Sequence, residues 1–348
     1  MKIPIENIYY LLCYAWNKLD EADRVQVSAK DQARLLDLFA RVLINGTRIL
    51  LKRGIDKAYV NESIEVPGVK GKVEISETYK SGLYLKQRTI CSLDEFSIDI
   101  ITNQILLTTL RTLLKAPELA ESHKADVVSL IQMMPDIQTL EVSQKLFKQV
   151  RIHRNNRFYS FLINVCQLIY ENSLPTEKPG EWQFADFTRD ERKMASLFEA
   201  FLYNFYRIEY PSWSVGKPHI KWQLESVNDA DSEYLPRMET DITIENDQEV
   251  IIIDAKYYQE SLAGQHGSKK IQTGNLYQLF SYLLNQRDGS SKRQRTRGIL
   301  IYPTVSYSLD LRYNFDQHPI EIKTVDLNTD WKEVEKQLRI IVCQHHSC

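Results

Sequence analysis

A surplus of positive charge is the first thing this chain lacks: 44 Lys and Arg stand against 46 Asp and Glu, a formal net charge of −2. Sequence-independent nucleic-acid binding draws its free energy from many phosphate contacts and the counterions they release. Tight DNA binding by the chain alone is therefore not expected. Long apolar runs are missing as well. No stretch approaches the ~20 residues of a membrane-spanning helix. The first residues show no basic region followed by an apolar core and cleavage site, so a cytoplasmic location and no membrane partner are expected. Cysteine is sparse, with five residues at positions 13, 91, 166, 343 and 348. An odd number without framework spacing predicts reduced thiols, and the run from Cys343 through His345 and His346 to Cys348 is too compressed for a structural zinc site. No G-x-x-x-x-G-K-[ST] segment occurs, since Gly264 to Lys269 lacks that spacing, so the chain should bind no nucleotide itself. Nor does any serine or cysteine sit in a recognisable nucleophile setting.

What is present suits a globular protein of two domains: 348 residues, 43% hydrophobic and 26% charged. Helical periodicity is expected after Pro4 and Asn7 and again across Leu35 to Leu50. From Tyr59 to Ile90 the chain turns to short β-prone pieces broken by Pro67, Gly68 and Gly71, which read as hairpins. Helices follow over Ile98–Leu114, Lys124–Met134 and Phe158–Tyr170. The segment from Asn172 to Gly180 is the expected boundary, dividing the chain into residues 1–172 and 173–348. The second half alternates helices (Glu191–Arg207, Leu276–Leu284, Trp331–Ile341) with strands (Ile220–Leu224, Gly298–Tyr302, Ile320–Val325). The expected fold is thus an α+β N-terminal domain, then an α/β domain with helices flanking a mixed sheet.

The chemistry concentrates in Arg237 to Asp241 and Val250 to Lys256. These read as antiparallel strands joined around Asn246, Asp247 and Gln248. Asp241 and Asp254 are equidistant from that turn, so pairing sets them side by side, and Lys256 shares a face with Asp254. Two adjacent carboxylates repel unless a cation lies between them. Hard oxygen donors beside a phosphate suit magnesium, which implies phosphodiester hydrolysis with Lys256 orienting or deprotonating water or stabilising charge on the phosphate. Lys269 and Lys270, together with Lys292, Arg293, Arg295 and Arg297, are candidate DNA contacts, although such cationic runs are commonly just solvated loops.

Asp241, Asp254, Ala255 and Lys256 resemble the core of the PD-(D/E)-x-K nuclease superfamily, without a proline immediately before Asp241. Over its full length the chain is similar to the McrC family, nuclease subunits of GTP-dependent restriction systems for modified cytosine. The resemblance is carried by Ile3 to Trp16, Leu235 to Asp241, Ile253 to Tyr258, Asn275 to Gln278 and Ile301 to Pro303. It implies a restriction-endonuclease-like second domain and a hexameric AAA+ GTPase partner, McrB-like, that binds GTP and recognises modified DNA. It further implies that residues 1–172 engage and stimulate that ring, with the 59–90 segment either entering the pore or forming an ordinary β layer, and Arg41 and Arg48 among the polar groups to consider. Glu199 resembles an acidic metal ligand from a core helix, or else faces solvent. Gln278 and Tyr282 resemble a Q-x-x-x-Y element, or else Tyr282 packs and Gln278 is exposed. A GTPase adaptor without cleavage, or an autonomous structure-specific nuclease, are the alternatives.

Overall fold

A computed structural model describes residues 3–25, 34–151, 156–176, 178, 180–224, 233–247, 249–258, 263–265, 268–286, 296–304 and 308–343. Two compact units emerge, and they divide the chain differently from the expected 1–172 and 173–348. One comprises residues 1–20, 28–32 and 186–348; the other comprises 21–27 and 33–185. The difference has a physical origin in the first helix, Ile5–Ala15. Buried Asn7 donates to the carbonyls of Leu327 and Thr329 at 2.7 and 2.8 Å. Tyr14 lies against Phe201, Phe205 and Trp331, so the chain's start is part of the later unit's core.

That unit is built on a six-stranded mixed sheet. In spatial order its strands are Asp310–Phe315, His318–Val325, Thr296–Pro303, Val250–Ala255, Ile242–Glu245 and Ser214–Gly216. Val250–Ala255 is central, antiparallel to Ile242–Glu245 and parallel to Thr296–Pro303. Being covered on both faces, it reads as a continuous apolar run rather than an alternating one. Val250, Ile251, Ile252 and Ile253 are at most 2% exposed, each burial worth roughly 1.5–3 kcal/mol. Helix Glu191–Glu209 is capped by Asp190, whose carboxylate accepts from the amides of Arg192 and Lys193. It buries Leu197, Phe198, Phe201, Leu202 and Phe205, as its periodicity predicts. Helix Thr273–Asn285 packs on the sheet so closely that a Cβ at Gly298 would meet Leu283 and Leu279 at 3.0 and 3.1 Å. Strand Asp310–Phe315 was not expected, and Ile220–Leu224 contributes only the two-residue strand His219–Ile220.

The other unit is a helical body, Leu35–Arg53, Ile101–Leu113, Glu121–Met133, Gln144–Gln149 and Arg157–Glu171, with a long ribbon. Ala58–Pro67 pairs antiparallel with Arg88–Ser97 over ten residue pairs, a length of about 34 Å. The connection between these strands is not the further hairpins expected. Lys72–Val73 adds a short strand, and Ile75–Lys80 and Leu83–Lys86 are short helices packed on the ribbon. Those helices leave Ile75, Tyr79 and Leu85 at least 70% exposed. Among the described residues no helix is long and apolar enough to cross a membrane. Cys13, Cys91 and Cys166 are free and buried, whereas Cys343 takes part in a disulfide, contrary to expectation.

Candidate active site

The hairpin register follows the symmetry about its turn. Val250 pairs with Glu245 and Ile253 with Ile242, so one further step sets Asp254 opposite Asp241. The turn is closed by the Asn246 amide on the Glu249 carbonyl (3.2 Å) and the Glu249 amide on Asn246 Oδ1 (2.9 Å). Asp241 is held in place by the Ala255 amide, which donates to its Oδ2 at 2.9 Å. Lys256 leaves the same strand end, its amide bonded to the Ile301 carbonyl at 2.9 Å.

Lys256 Nζ lies 2.9 Å from each carboxylate oxygen of Asp254 and 4.0 Å from Asp241 Oδ2. Only Asp254 Oδ1 is in hydrogen-bonding geometry, and Oδ2 is buried without a hydrogen-bond partner. Complete burial, opposed by Lys256 and reinforced by the charge of Asp241, pushes the Asp254 carboxyl up to about 7. Burial likewise raises Asp241, with Lys256 opposing. For Lys256 itself, burial works against the ammonium, but the charge and hydrogen bond of Asp254 and the charge of Asp241 outweigh it and hold its pKa above the ordinary lysine value. Isolated buried carboxylates would be costly. Two carboxylates side by side, one with an oxygen that accepts no hydrogen bond, are the donor chemistry that a hard divalent cation satisfies.

The surrounding residues fix this arrangement. Lys256 Nζ donates to Gln278 Oε1 at 3.1 Å, Gln278 Nε2 to the Tyr282 hydroxyl at 2.7 Å, and that hydroxyl to the Glu239 carbonyl at 2.8 Å. Gln278 and Tyr282 thus act together from one helix face, and Tyr282 both packs and bonds. Asn275, one turn earlier, donates to Tyr302 and accepts from Tyr258 at 3.0 and 3.2 Å. Glu199 is half-buried and paired with Lys217, which also lies 5.3 Å above the Tyr203 ring. Its charge is felt at both Asp241 and Asp254. Among the described residues, however, no three acidic, His or Cys groups converge on one ion position. Two carboxylates are what the site offers, which suits magnesium, since that ion retains water and takes further ligands from phosphate. Sequence reasoning missed Lys217, although a lysine bracketed by Gly216 and Pro218 at a strand end was a visible signal.

The cationic candidates fare differently. Arg297 is not a DNA contact. Its guanidinium is 1% exposed, bonded to Glu321 and Glu249 at 2.8 and 3.1 Å and to the carbonyls of Ile341 and Val342 at the end of the last helix. Lys292, Arg293 and Arg295 lie outside the described residues, as does the side chain of Lys269. Lys270 is exposed at the end of a short two-stranded ribbon. In the other unit, Arg41 and Arg48 both pair with Asp126, at 3.0 and 2.8 Å.

The family model for the McrBC 5-methylcytosine restriction system component matches residues 6–303. The "Type IV methyl-directed restriction enzyme EcoKMcrBC" of Escherichia coli (strain K12) is 35% identical over 337 residues, covering 97% of this chain and 96% of that protein. Among solved structures, the refined half-complex from a tetradecameric assembly of Thermococcus gammatolerans McrB AAA+ hexamers with bound McrC has a similar chain. The TM-score is 0.56 at 16% identity, over 97% of this chain and 76% of the other. That likeness is one of fold.

Proposed function

The chain belongs to the McrBC 5-methylcytosine restriction system component family, and from that premise we propose that it is the DNA-cleaving subunit of a GTP-dependent restriction complex. Its partner in this reading is a McrB-like hexameric AAA+ ring that binds and hydrolyses GTP and brings modified-cytosine DNA to it. The carrying observation is the convergence of Asp241, Asp254 and Lys256 at one strand end, with Asp254 Oδ2 buried and accepting no hydrogen bond. Magnesium held by Asp241 and Asp254 would supply charge to the phosphodiester and acidify the attacking water.

The remaining work falls to the chain's own groups. Lys256, hydrogen-bonded to Asp254 and Gln278, orients or deprotonates the attacking water or stabilises charge on the phosphate. Gln278, locked through Tyr282 to the Glu239 carbonyl, fixes the direction in which the ammonium points. The near-neutral charge balance supports recruitment by the partner rather than independent binding. The 58–97 ribbon, with Tyr79 and Tyr84 stacked at 5.0 Å and exposed at its tip, is the segment proposed to enter the ring and stimulate it. Its main neighbours are its own short helices, which favours this over a β layer covering the helical body.

The test is DNA cleavage by the reconstituted complex with Asp254→Ala, Lys256→Ala and Asp241→Asn. Each should lower the rate on the order of 10²–10³-fold. Near-parental cutting by a folded, ring-bound variant would remove the active-site assignment. Cleavage by the isolated chain with magnesium alone would point instead to an autonomous nuclease.

A further inference from the structure

The cationic run that was a candidate DNA contact loses Arg297 to the core. A second two-stranded ribbon leads away from the site. Its register sets His219 opposite Glu239 and Ile220 opposite Met238. The Thr240 amide to the Pro218 carbonyl (3.5 Å) continues it inward, and Trp222 Nε1 to the Pro236 carbonyl (2.7 Å) continues it outward. Extending this register by one residue sets Lys221 opposite Arg237 at the outer end; at the inner end Lys217 lies at the junction with the Gly216–Thr243 pair of the main sheet, where its charge is felt at Asp241.

Alternation along the ribbon separates two faces. Ile220 and Met238 are buried in the core that holds Leu279 and Tyr282, with Trp222 packed against it. Lys217, His219 and Lys221 fall on the other face, as do Arg237 and Glu239 across the ribbon. Lys221 and Arg237 are both exposed, and neither has an ion-pair or hydrogen-bond partner among the described residues. Like charges directly opposite on a ribbon destabilise it, so the pair is unfavourable unless an anion lies over it. Side chains two apart on a strand are about 6.6 Å apart, comparable to the separation of successive phosphates along a nucleic-acid strand. Glu239, opposite His219, is the acid within this row and interrupts it between the inner and outer cations.

We propose that this ribbon face, with Lys221 and Arg237 at its outer end and Lys217 at its inner end, binds the phosphodiester backbone of the DNA strand delivered to Asp241, Asp254 and Lys256. The proposal rests on the nuclease reading and deepens it. Lys217 is the inner member because it also pairs with Glu199, linking the backbone track to the acidic cluster. Since the outer pair is held against its own repulsion, removing its charge should not weaken the fold.

The experiment uses the full chain reconstituted with its ring partner, at sub-saturating modified-cytosine DNA and several salt concentrations. Lys221→Gln combined with Arg237→Gln is compared with Lys332→Gln combined with Lys336→Gln, an equal charge change elsewhere, and with Asp254→Ala. Loss of two phosphate contacts should flatten the log rate against log salt slope by about 1.8. The defect would then be roughly ten-fold larger at 50 mM than at 200 mM salt, with GTP turnover and Tm unchanged. A photocrosslinking amino acid in place of Lys221 should attach to the DNA. If the double variant keeps the parental slope and rate and position 221 does not crosslink, the proposal is overturned. Asp254→Ala reports separately, because continued cutting by that variant removes the nuclease reading itself.

Discussion

The two units handle awkward groups in opposite ways. In the sheet unit charges are buried and then matched: Lys256 against Asp254 and Asp241 at one end of the central strands, Arg297 against Glu249 and Glu321 at the other. In the ribbon unit apolar groups are left exposed: Tyr59 is 75% exposed, Leu85 76% and Tyr79 70%. Buried charges that are tightly matched are strongly position-dependent and cost several kcal/mol when one partner is removed. Exposed aromatics on a ribbon add little to folding and mark a surface for another chain. One unit is therefore read as the seat of chemistry and the other as the seat of docking.

The sharpest way to break this contrast is to remove a buried charge far from the site. Arg297→Met leaves Glu321 and Glu249 without their main partner and should destabilise the sheet unit by about 3–5 kcal/mol, measured by thermal or denaturant unfolding. Glu321 adds a pH signature. Burial opposes its charge, but hydrogen bonds and charge from Arg297 and Lys323 hold its pKa below the ordinary value. A depressed folded pKa contributes stability above the unfolded value that is lost as pH falls through the folded one. Acid unfolding should therefore begin at higher pH in Arg297→Met than in the parent. An unchanged midpoint would show that this network does not carry the unit.

Next in size is the ribbon tip. Tyr79→Ala with Tyr84→Ala should weaken ring binding, and the stimulation that follows from it, by about ten-fold or about 1.4 kcal/mol, while the unfolding free energy stays within about 1 kcal/mol of the parent. Undiminished stimulation would assign docking elsewhere. The smallest effect is expected at Gln278→Leu, which leaves Lys256 with Asp254 but removes its orienting acceptor. Cleavage should fall by about ten-fold or less, and substitution of Tyr282 by Phe should do no more than the same, since both act through one chain of hydrogen bonds.

The sheet unit was the more legible of the two. The pairing of Asp241 with Asp254 follows from equal spacing about a turn, a local property, and the Gln278–Tyr282 relation follows from helical spacing. Arg297 was misread because its partners, Glu249 and Glu321, reach it across parallel strands whose order no local pattern fixes. Residues 1–20 were placed in the wrong unit for a similar reason, as the bonds from Asn7 to Leu327 and Thr329 span some 320 residues. At the ribbon tip, helices of six and four residues are too short for periodicity to register, and the β-prone Ile75 and Tyr84 suggested strands. Arg41 and Arg48 looked available only because Asp126 lies 85 and 78 positions away.

The division between chemistry and docking is tested most directly in a single preparation: Asp254→Asn in the full chain, assembled with the GTPase ring on modified-cytosine DNA, with GTP turnover and strand cleavage measured in the same tube. The amide keeps the shape of Asp254 and removes the charge. Cleavage should disappear while GTP turnover remains at the parental stimulated rate. Persistent cleavage, or loss of both activities from a folded, ring-bound complex, would contradict the assignment of the two units.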